Sequence, residues 1–293
     1  METIDRIRIA GIGAGLYSPL ATATASSLVS DKKRGRALGM TLGGMSMGTV
    51  VGVLLGLIVA AHAGWDGTLW LITILGLIAM IGIVIWFPNI PASPPPSLRQ
   101  RLAMLANGRV TATVGITFVT GIASLGLYTY IAPILQNLDG IHSVTPYLWA
   151  WGIGGVVGSL FIGTLIDRIG RPGWIMGGIL ILLALAMFSL PLSLGIPILM
   201  FLPFFIWGAM GWASLAPQQH VLLELQPKHG PAVVALNSSA NYFNYLGSSV
   251  GSALGGVVMV AGLTPSQLPF AAGCLVLVAL LGQLVILSTK RKG

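Results

Sequence analysis

Charged side chains are scarce in this sequence. Only 8% of its 293 residues are Asp, Glu, Lys or Arg, while 55% are hydrophobic; an ordinary soluble domain carries about 25% charged residues. Seven acids and fifteen bases are too few to cover the surface of a soluble protein of this length. The scarcity excludes a large soluble domain and predicts a protein that crosses a membrane many times.

Several kinds of functional group are also missing. The single cysteine, Cys274, lies in an apolar run, which excludes a disulfide framework or a cysteine metal site. The four histidines lack ligand spacing, so we expect no metal. The sequence contains no G-x-x-x-x-G-K-[ST] loop, so nucleotide-driven transport has no support. Its Ser, His and Asp residues do not form a recognisable nucleophile constellation, so we expect no enzyme. We expect no cofactor, and the basic excess lies in loops between apolar runs, so we expect no nucleic-acid partner.

Long apolar runs fill most of the chain. Most have the length of one helix across a hydrocarbon core of about 30 Å. The longest would extend about 68 Å as one helix, but Pro191 and Pro197 lie in its middle, so it predicts two helices joined by a tight turn. The sequence thus predicts an all-α integral membrane protein with about nine transmembrane helices, from runs at 9–29, 37–61, 68–87, 110–135, 145–166, 173–217, 232–262 and 268–288.

Lys and Arg residues occur in alternate loops. They precede the second predicted helix and follow the third, fifth, seventh and ninth, whereas the loops between them have none. Under the positive-inside rule the basic loops and the C-terminus face the cytoplasm of a cell-membrane protein. One of these inner loops is predicted at 218–231, with His220 and Glu224 in it or at its margin.

The start of the chain departs from this alternation. The first predicted helix must begin outside in order to end at the basic DKKRGR stretch, yet Arg6 and Arg8 precede it. We therefore expect a chain that lacks the beginning of its fold. A signal peptide is the competing interpretation of the ATATA stretch, but Glu2 and Asp5 interrupt its basic region.

A proline-rich stretch divides the apolar runs. Residues 87–109 contain five prolines, which favour an extended, semi-rigid spacer. Three predicted helices precede the stretch and six follow it. A weak repeat between RGRALGMTLGG and HGPAVVALNSS fits two related halves. We predict a truncated N-terminal half at 1–87, a cytoplasmic linker at 88–109 and a six-helix half at 110–293.

Two motifs resemble those of the major facilitator superfamily. GTLIDRIGRP resembles the loop signature G-x-x-x-D-R-x-G-R-R, except that Pro172 replaces the last base. The helix from Ala37 resembles the antiporter motif in its glycine spacing. Drug- and sugar-efflux members are similar through SPLA, RGRALG, YIAPIL, APQQ and ALNSSANY. The residues that carry the two motifs are Gly163, Asp167, Arg168, Gly170 and Arg171 in the loop, and Gly39, Gly48, Gly52 and Gly56 in the helix.

The resemblance implies helices four to twelve of a twelve-helix fold, and proton-coupled efflux of a small polar or amphipathic solute by alternating access. The signature carboxylate would form charge-assisted bonds in one arrangement of the helices and lose them in the other, while the glycines would let helices slide past each other. An inactive membrane remnant or assembly partner is the alternative. A membrane enzyme would need paired polar groups near one interface, which the sequence does not offer.

Two lines of polar residues mark a candidate solute pathway. Each line repeats at helical spacing, and polar groups in hydrocarbon are costly unless they face other helices or a wet cavity. The alternative is hydrogen bonding between packed helices. The candidate pathway residues are Thr117, Ser124 and Tyr128 on one helix, and Asn237, Asn241, Asn244 and Ser248 on another.

Overall fold

The computed structural model describes residues 13, 17, 20–22, 24–25, 27–86, 106–136, 141, 143–193, 196–224 and 231–289, with the side chains of 31, 53, 54, 57 and 231–239 left out. These described residues contain helices and turns and no strand. The helices are α1 (Arg34–Trp86), α2 (Gly108–Tyr128), α3 (Ile131–Gln136), α4 (Thr145–Ile169), α5 (Pro172–Ser193), α6 (Pro197–Ala213), α7 (Leu215–Glu224), α8 (Pro231–Val260) and α9 (Leu268–Thr289).

Helix α1 is a hairpin of two helical arms. Its backbone reverses at Gly64, which has a φ of 69°, a conformation that glycine adopts at no steric cost. The hydroxyl of Thr68 donates to the carbonyl of Gly56 at 3.1 Å. Twelve residues of straight helix would separate these groups by about 18 Å, so the second arm must turn back along the first. The separate apolar runs predicted at 37–61 and 68–87 correspond to the two arms.

The long run at 173–217 is confirmed as two helices, α5 and α6. Pro197 occupies the first turn of α6, where its missing N–H costs nothing. The end of this run was predicted too early, because Ser214 keeps helical angles and α7 continues to Glu224. His220 and Glu224 therefore lie on a helix, which corrects the predicted loop over 218–224. The predicted apolar run ended at three polar residues, Gln218, Gln219 and His220. In the structure, however, Gln218 and Gln219 are buried.

Seven segments of the described residues are long and apolar enough to cross a membrane. They include the second arm of α1, all the long helices after the predicted linker, and α6 with α7 as one span. The count of nine stays a prediction. Most of the run at 9–29 and the greater part of the predicted linker lie outside the described residues.

Helices α2 and α8 pack backbone against backbone. A Cβ added at Gly121 would lie 2.5 Å from the carbonyl oxygen of Asn244, and one added at Gly126 would lie 2.6 Å from the Cα of Gly251. Only glycine fits at these positions, so the two helices approach more closely than larger side chains would allow. Helix α9 also packs against both α2 and α5.

The first arm of α1 packs on helices from the other side of the predicted linker. Leu38 and Leu42 are fully buried, in a core shared with Ile162 and Ile166 of α4. The same core includes Ala216 of α7. This packing brings the start of α1 to the end of α4, where the predicted loop signature lies.

Candidate functional site

The carboxylate of Asp167 binds the first turn of α1. Its Oδ1 accepts the backbone N–H of Gly35 at 3.0 Å, and its Oδ2 accepts the backbone N–H of Arg36 at 2.9 Å. The first N–H groups of a helix have no partner within the helix, and the helix dipole favours a negative charge there. We call this pair of bonds the helix-end contact. It joins segments on opposite sides of the predicted linker.

The signature arginines are not the partners of Asp167. Arg168 and Arg171 are exposed, and within the described part of the chain their guanidinium groups have no hydrogen bond or ion pair. Gly170 ends α4 with a φ of 63°, which lets the chain turn directly into α5. Two charge-assisted bonds of the carboxylate therefore go to a helix terminus.

Glycines bring α1 and α4 together beside the helix-end contact. A Cβ at Gly35 would lie 2.6 Å from Oδ1 of Asp167, and one at Gly39 would lie 2.8 Å from the carbonyl oxygen of Ser159. A Cβ at Gly163 would collide with the carbonyl oxygen of Gly35. Gly39 and Gly163 were predicted from the motifs. Gly35 was missed, although it stands in the RGRALG stretch that carried part of the resemblance.

The other glycines of the antiporter-like motif have different surroundings. Gly56 contacts the second arm of α1, where a Cβ would lie 3.4 Å from Cγ2 of Thr68. At Gly48 and Gly52, no described atom lies within 4 Å of an added Cβ, apart from the flanking residues and the local backbone of the helix. Close approach to α4 is therefore found at Gly39, and the role of the remaining motif stays a prediction.

Two candidate pathway residues on α2 hold neighbouring helices. The Thr117 hydroxyl donates to the side-chain oxygen of Gln218 on α7, and both side chains are buried. The Ser124 hydroxyl accepts the indole N–H of Trp207 on α6 at 3.0 Å. Both contacts match the alternative stated for these lines, which is hydrogen bonding between packed helices.

The polar line on α8 lies beside the line on α2 rather than across a space from it. Asn241 and Asn244 are buried and Ser248 is half-buried. The backbone of Asn244 touches Gly121, so the two lines are on helices in direct contact. The side chain of Asn237 is outside the described residues.

Three tryptophans between α4 and α6 were missed in the sequence. The ring centroid of Trp151 lies 6.3 Å from that of Trp207 and 6.2 Å from that of Trp212. Tyr128, the third candidate on α2, adds its ring 4.5 Å from Trp151. We call Trp151, Trp207 and Trp212 the tryptophan cluster. No motif marks them, because their proximity depends on how α4 packs against α6.

The tryptophan cluster contains donors without acceptors. The indole N–H groups of Trp151 and Trp212 are buried, and neither has a hydrogen-bond partner among the described residues. On α7, Gln219 is fully buried, and both polar atoms of its amide are likewise unpaired in the described part. Buried polar groups are usually paired with protein or ordered water, so these groups are available to a bound solute or to water.

Acidic and basic side chains are few along these spans. His220 and Glu224 lie four residues apart on α7, with Nδ1 and Oε1 separated by 3.3 Å. Among the described residues, no three or more His, Cys, Asp or Glu side chains are grouped so that they could hold a metal ion. The chemistry that this arrangement offers is therefore hydrogen bonding, aromatic contact and one carboxylate contact between helices.

The described helices form a bundle of candidate membrane spans in which one carboxylate joins two groups of helices. The sequence profile of the Major Facilitator Superfamily matches residues 6–252, and the chain belongs to this superfamily. The match covers both motifs described above.

Similar proteins agree with this assignment. An uncharacterised transporter of the superfamily from Bacillus subtilis strain 168, YbcL, is 29% identical over 287 residues, which are 97% of this chain and 72% of that protein. A probable sugar efflux transporter from Mannheimia succiniciproducens is 30% identical over 83% of this chain and 61% of its own length. The structure of the Escherichia coli fucose:proton symporter FucP has the same fold, with a TM-score of 0.74 at 14% identity, over 94% of this chain and 74% of FucP. These matches favour transport over an inactive membrane remnant.

Proposed function

We propose that the protein is a secondary active exporter that moves a small polar or amphipathic solute across the cell membrane by alternating access. The observation that carries this proposal is the helix-end contact, in which Asp167 of α4 binds Gly35 and Arg36 of α1. We assign α1 to the part at 1–87 and α4 to the part at 110–293, with the linker at 88–109 between them. In this proposal the chain crosses the membrane nine times, as helices four to twelve of a twelve-helix arrangement.

The helix-end contact has the properties of a releasable closure. Two charge-assisted bonds are strong while they are made, and both are lost together if α1 moves away from α4. Beside the contact, the two backbones meet closely through Gly35, Gly39 and Gly163, and glycine surfaces can slide past each other more easily than surfaces with large side chains. A contact with two such states is what alternating access requires.

We further propose that the contact closes the cytoplasmic side. Arg36, Arg168 and Arg171 surround it, and we call this end of the bundle the basic end. Basic residues flanking membrane spans favour the cytoplasmic face, and the outer side would then be open when the contact is made. The end of α9 lies at the same end, where Leu287 and Gly173 line one cavity, so we also propose a cytoplasmic C-terminus.

The unpaired donors of the tryptophan cluster suggest the kind of solute. Two indole N–H groups, on Trp151 and Trp212, need acceptors, while the surrounding rings offer flat apolar surface. We propose a solute that carries hydrogen-bond acceptors and one apolar face. The similarity to a probable sugar efflux transporter fits a solute rich in oxygen.

The candidate residues divide between the pathway and its support. We propose that Tyr128, Asn241, Asn244 and Ser248 line the pathway together with the tryptophan cluster, and we retain Asn237 on the strength of its helical spacing alone. We assign Thr117 and Ser124 a supporting role, because their hydroxyl groups are bonded to Gln218 and Trp207. A support residue affects transport by positioning α6 and α7.

Proton coupling, which the resemblance implies, has a candidate carrier in His220. An imidazole can accept and donate a proton. Its Nδ1 lies 3.3 Å from Oε1 of Glu224, so a proton could pass between the two side chains. Transport driven by a proton gradient should then be lost in His220→Gln, while exchange of solute without a gradient should continue.

The proposal is tested by efflux from vesicles that contain the purified chain. A panel of neutral sugars and aromatic amphipathic solutes is loaded, and the loss of each is followed with and without a proton gradient. Export of at least one solute that stops in Asn241→Ala supports the pathway. A panel that the chain does not export at all, or that Asn241→Ala exports unchanged, contradicts it.

A matched pair of tryptophan variants tests the solute assignment. Trp212→Phe keeps an aromatic ring but removes an unpaired donor, and we expect the apparent KM to rise by about fivefold for loss of one hydrogen bond. Trp70→Phe makes the same change at an exposed ring outside the cluster and should leave the KM unchanged. Equal KM values in both variants would exclude Trp212 from solute binding.

A further inference from the structure

A cavity lies at the basic end, and its lining includes no member of the tryptophan cluster. It has a volume of about 500 Å³ and is enclosed by the start of α5, the end of α9, the side of α7 and the first turns of α2. We call it the α5 cavity. The residues that carry its chemistry are Thr113, Arg171, Trp174, Gln283, Ile286 and Leu287.

The α5 cavity is electropositive. Arg171 is exposed at its wall, and its guanidinium group is without a hydrogen bond or ion pair in the described part of the chain. None of the described residues that line the cavity is acidic. The amide nitrogen of Gln283 donates to the carbonyl of Gly173 at 2.8 Å, which fixes α9 against the start of α5. An unpaired guanidinium at a fixed wall is suited to a phosphate, which it can bind through two hydrogen bonds.

The position of the cavity favours the phosphate of a lipid headgroup over a free phosphate ion. Helices α5 and α9 are candidate membrane spans, and the cavity lies at their ends, where lipid headgroups are found. The Trp174 side chain is 58% exposed, which is typical of a ring at the membrane interface. Ile286 and Leu287 add apolar surface on the same wall. In the sequence, Lys290, Arg291 and Lys292 follow directly after Thr289, the last residue of α9.

We propose that the α5 cavity binds the headgroup of an anionic phospholipid. Arg171 bonds the phosphate oxygens, while Trp174 and Leu287 contact the first carbons of the acyl chains. Basic pockets between transmembrane helices are known sites for such headgroups. A free phosphate shares the headgroup chemistry but would leave the apolar wall without a partner, so the cavity favours the lipid.

The site is tested by mass spectrometry of the full chain, released intact from detergent after addition of phosphatidylglycerol or phosphatidylcholine. We expect one phosphatidylglycerol to bind more tightly than phosphatidylcholine. Arg171→Gln should weaken phosphatidylglycerol binding by about fivefold, the contribution of one surface base. The matched control is Arg109→Gln, which removes an exposed base of the same end that does not line the cavity. It should bind phosphatidylglycerol as the unmodified chain does.

Two further experiments distinguish a bound lipid from a bound phosphate ion. Trp174→Ala should weaken phosphatidylglycerol binding through loss of the apolar contact, which a site for a bare anion would not show. Millimolar inorganic phosphate should fail to displace the lipid. Displacement by phosphate, equal losses in Arg171→Gln and Arg109→Gln, or equal binding of the two lipids would each overturn the proposal.

Discussion

The Oδ1 atom of Asp167 lies 3.0 Å from the backbone nitrogen of Gly35, although 132 residues separate them in the chain. The carboxylate thus completes the first turn of a helix that it does not belong to. A Cβ at residue 35 would occupy the space that the carboxylate needs. The contact depends on one acid and on the absence of one side chain.

Removing the charge at residue 167 should favour the open arrangement. Asp167→Asn keeps the shape of the side chain, but one amide group cannot accept two hydrogen bonds from N–H groups through both of its terminal atoms. We expect the closed arrangement to lose about 1–3 kcal/mol of stability relative to the open one. This corresponds to about a tenfold rise in the open population. The measurement is the rate of thiol labelling at Ser159→Cys, a buried position, in a Cys274→Ser background.

The matched control for this prediction is Asp66→Asn. Asp66 is exposed, and the same loss of charge there should leave the labelling rate unchanged. Equal labelling rates in the two variants would mean that Asp167 does not hold α1 against α4.

Filling the space at residue 35 should impair transport. Gly35→Ala places a methyl group 2.6 Å from Oδ1 of Asp167, and overpacking of this kind costs about 1–3 kcal/mol. We expect export to fall by about tenfold, because the closed arrangement is disfavoured by that amount. Gly44→Ala, on the same helix, meets no described atom within 4 Å, so its export rate should be normal. Similar export by both variants would contradict the contact.

Deleting the Ser124 hydroxyl should destabilise the protein. Trp207 is 1% exposed, and its indole N–H would be left without an acceptor, at a cost of about 1–3 kcal/mol. The melting temperature of Ser124→Ala in detergent should therefore fall. Ser249→Ala is a suitable comparison because Ser249 is exposed and bonds the carbonyl of Tyr245 in its own helix. If the two variants have the same melting temperature, the hydrogen bond to Trp207 does not stabilise the fold.

The close approach of α2 and α8 predicts a strong effect at Gly121. Gly121→Ala brings a methyl group to 2.5 Å from the carbonyl oxygen of Asn244, so the helices must separate. We expect a lower melting temperature, with a loss of about 1–3 kcal/mol. Gly115→Ala on the same helix has no described neighbour within 4 Å and should be neutral or slightly stabilising, since alanine favours helix. An unchanged melting temperature in Gly121→Ala would show that α2 and α8 do not depend on close contact at this position.

Much of the fold was predictable because it follows from local properties of the chain. Apolar runs located α4, α5, α8 and α9 to within a few residues, whereas the run at 110–135, predicted as one helix, contains both α2 and α3. The reversal at Gly64 fell in a short stretch without Lys or Arg, as expected. Prediction failed at α7, because Gln218 and Gln219 look like the start of a loop when their neighbours are unknown. Only packing shows that both are buried.

The candidate site was predictable in part. The loop signature identified Asp167 and Gly163, since the spacing of glycine, acid and base in it is unusual for a simple turn. The polar lines located Thr117 and Ser124 but did not show that their hydroxyl groups bond Gln218 and Trp207. A helical repeat shows which residues share a face, whereas it contains no information about what lies opposite that face.

The sequence by itself determined that this protein spans a membrane, where most of its apolar helices lie, and which loops carry its few charges, because all of these depend on local hydropathy and charge. The tertiary structure decided which side chains and backbone groups contact each other between helices. Every helix offers unpaired N–H groups at its start, and nothing in the chain specifies which of them Asp167 will bind. That choice, like the meeting of Trp151 with Trp212, depends on how helices far apart in sequence pack.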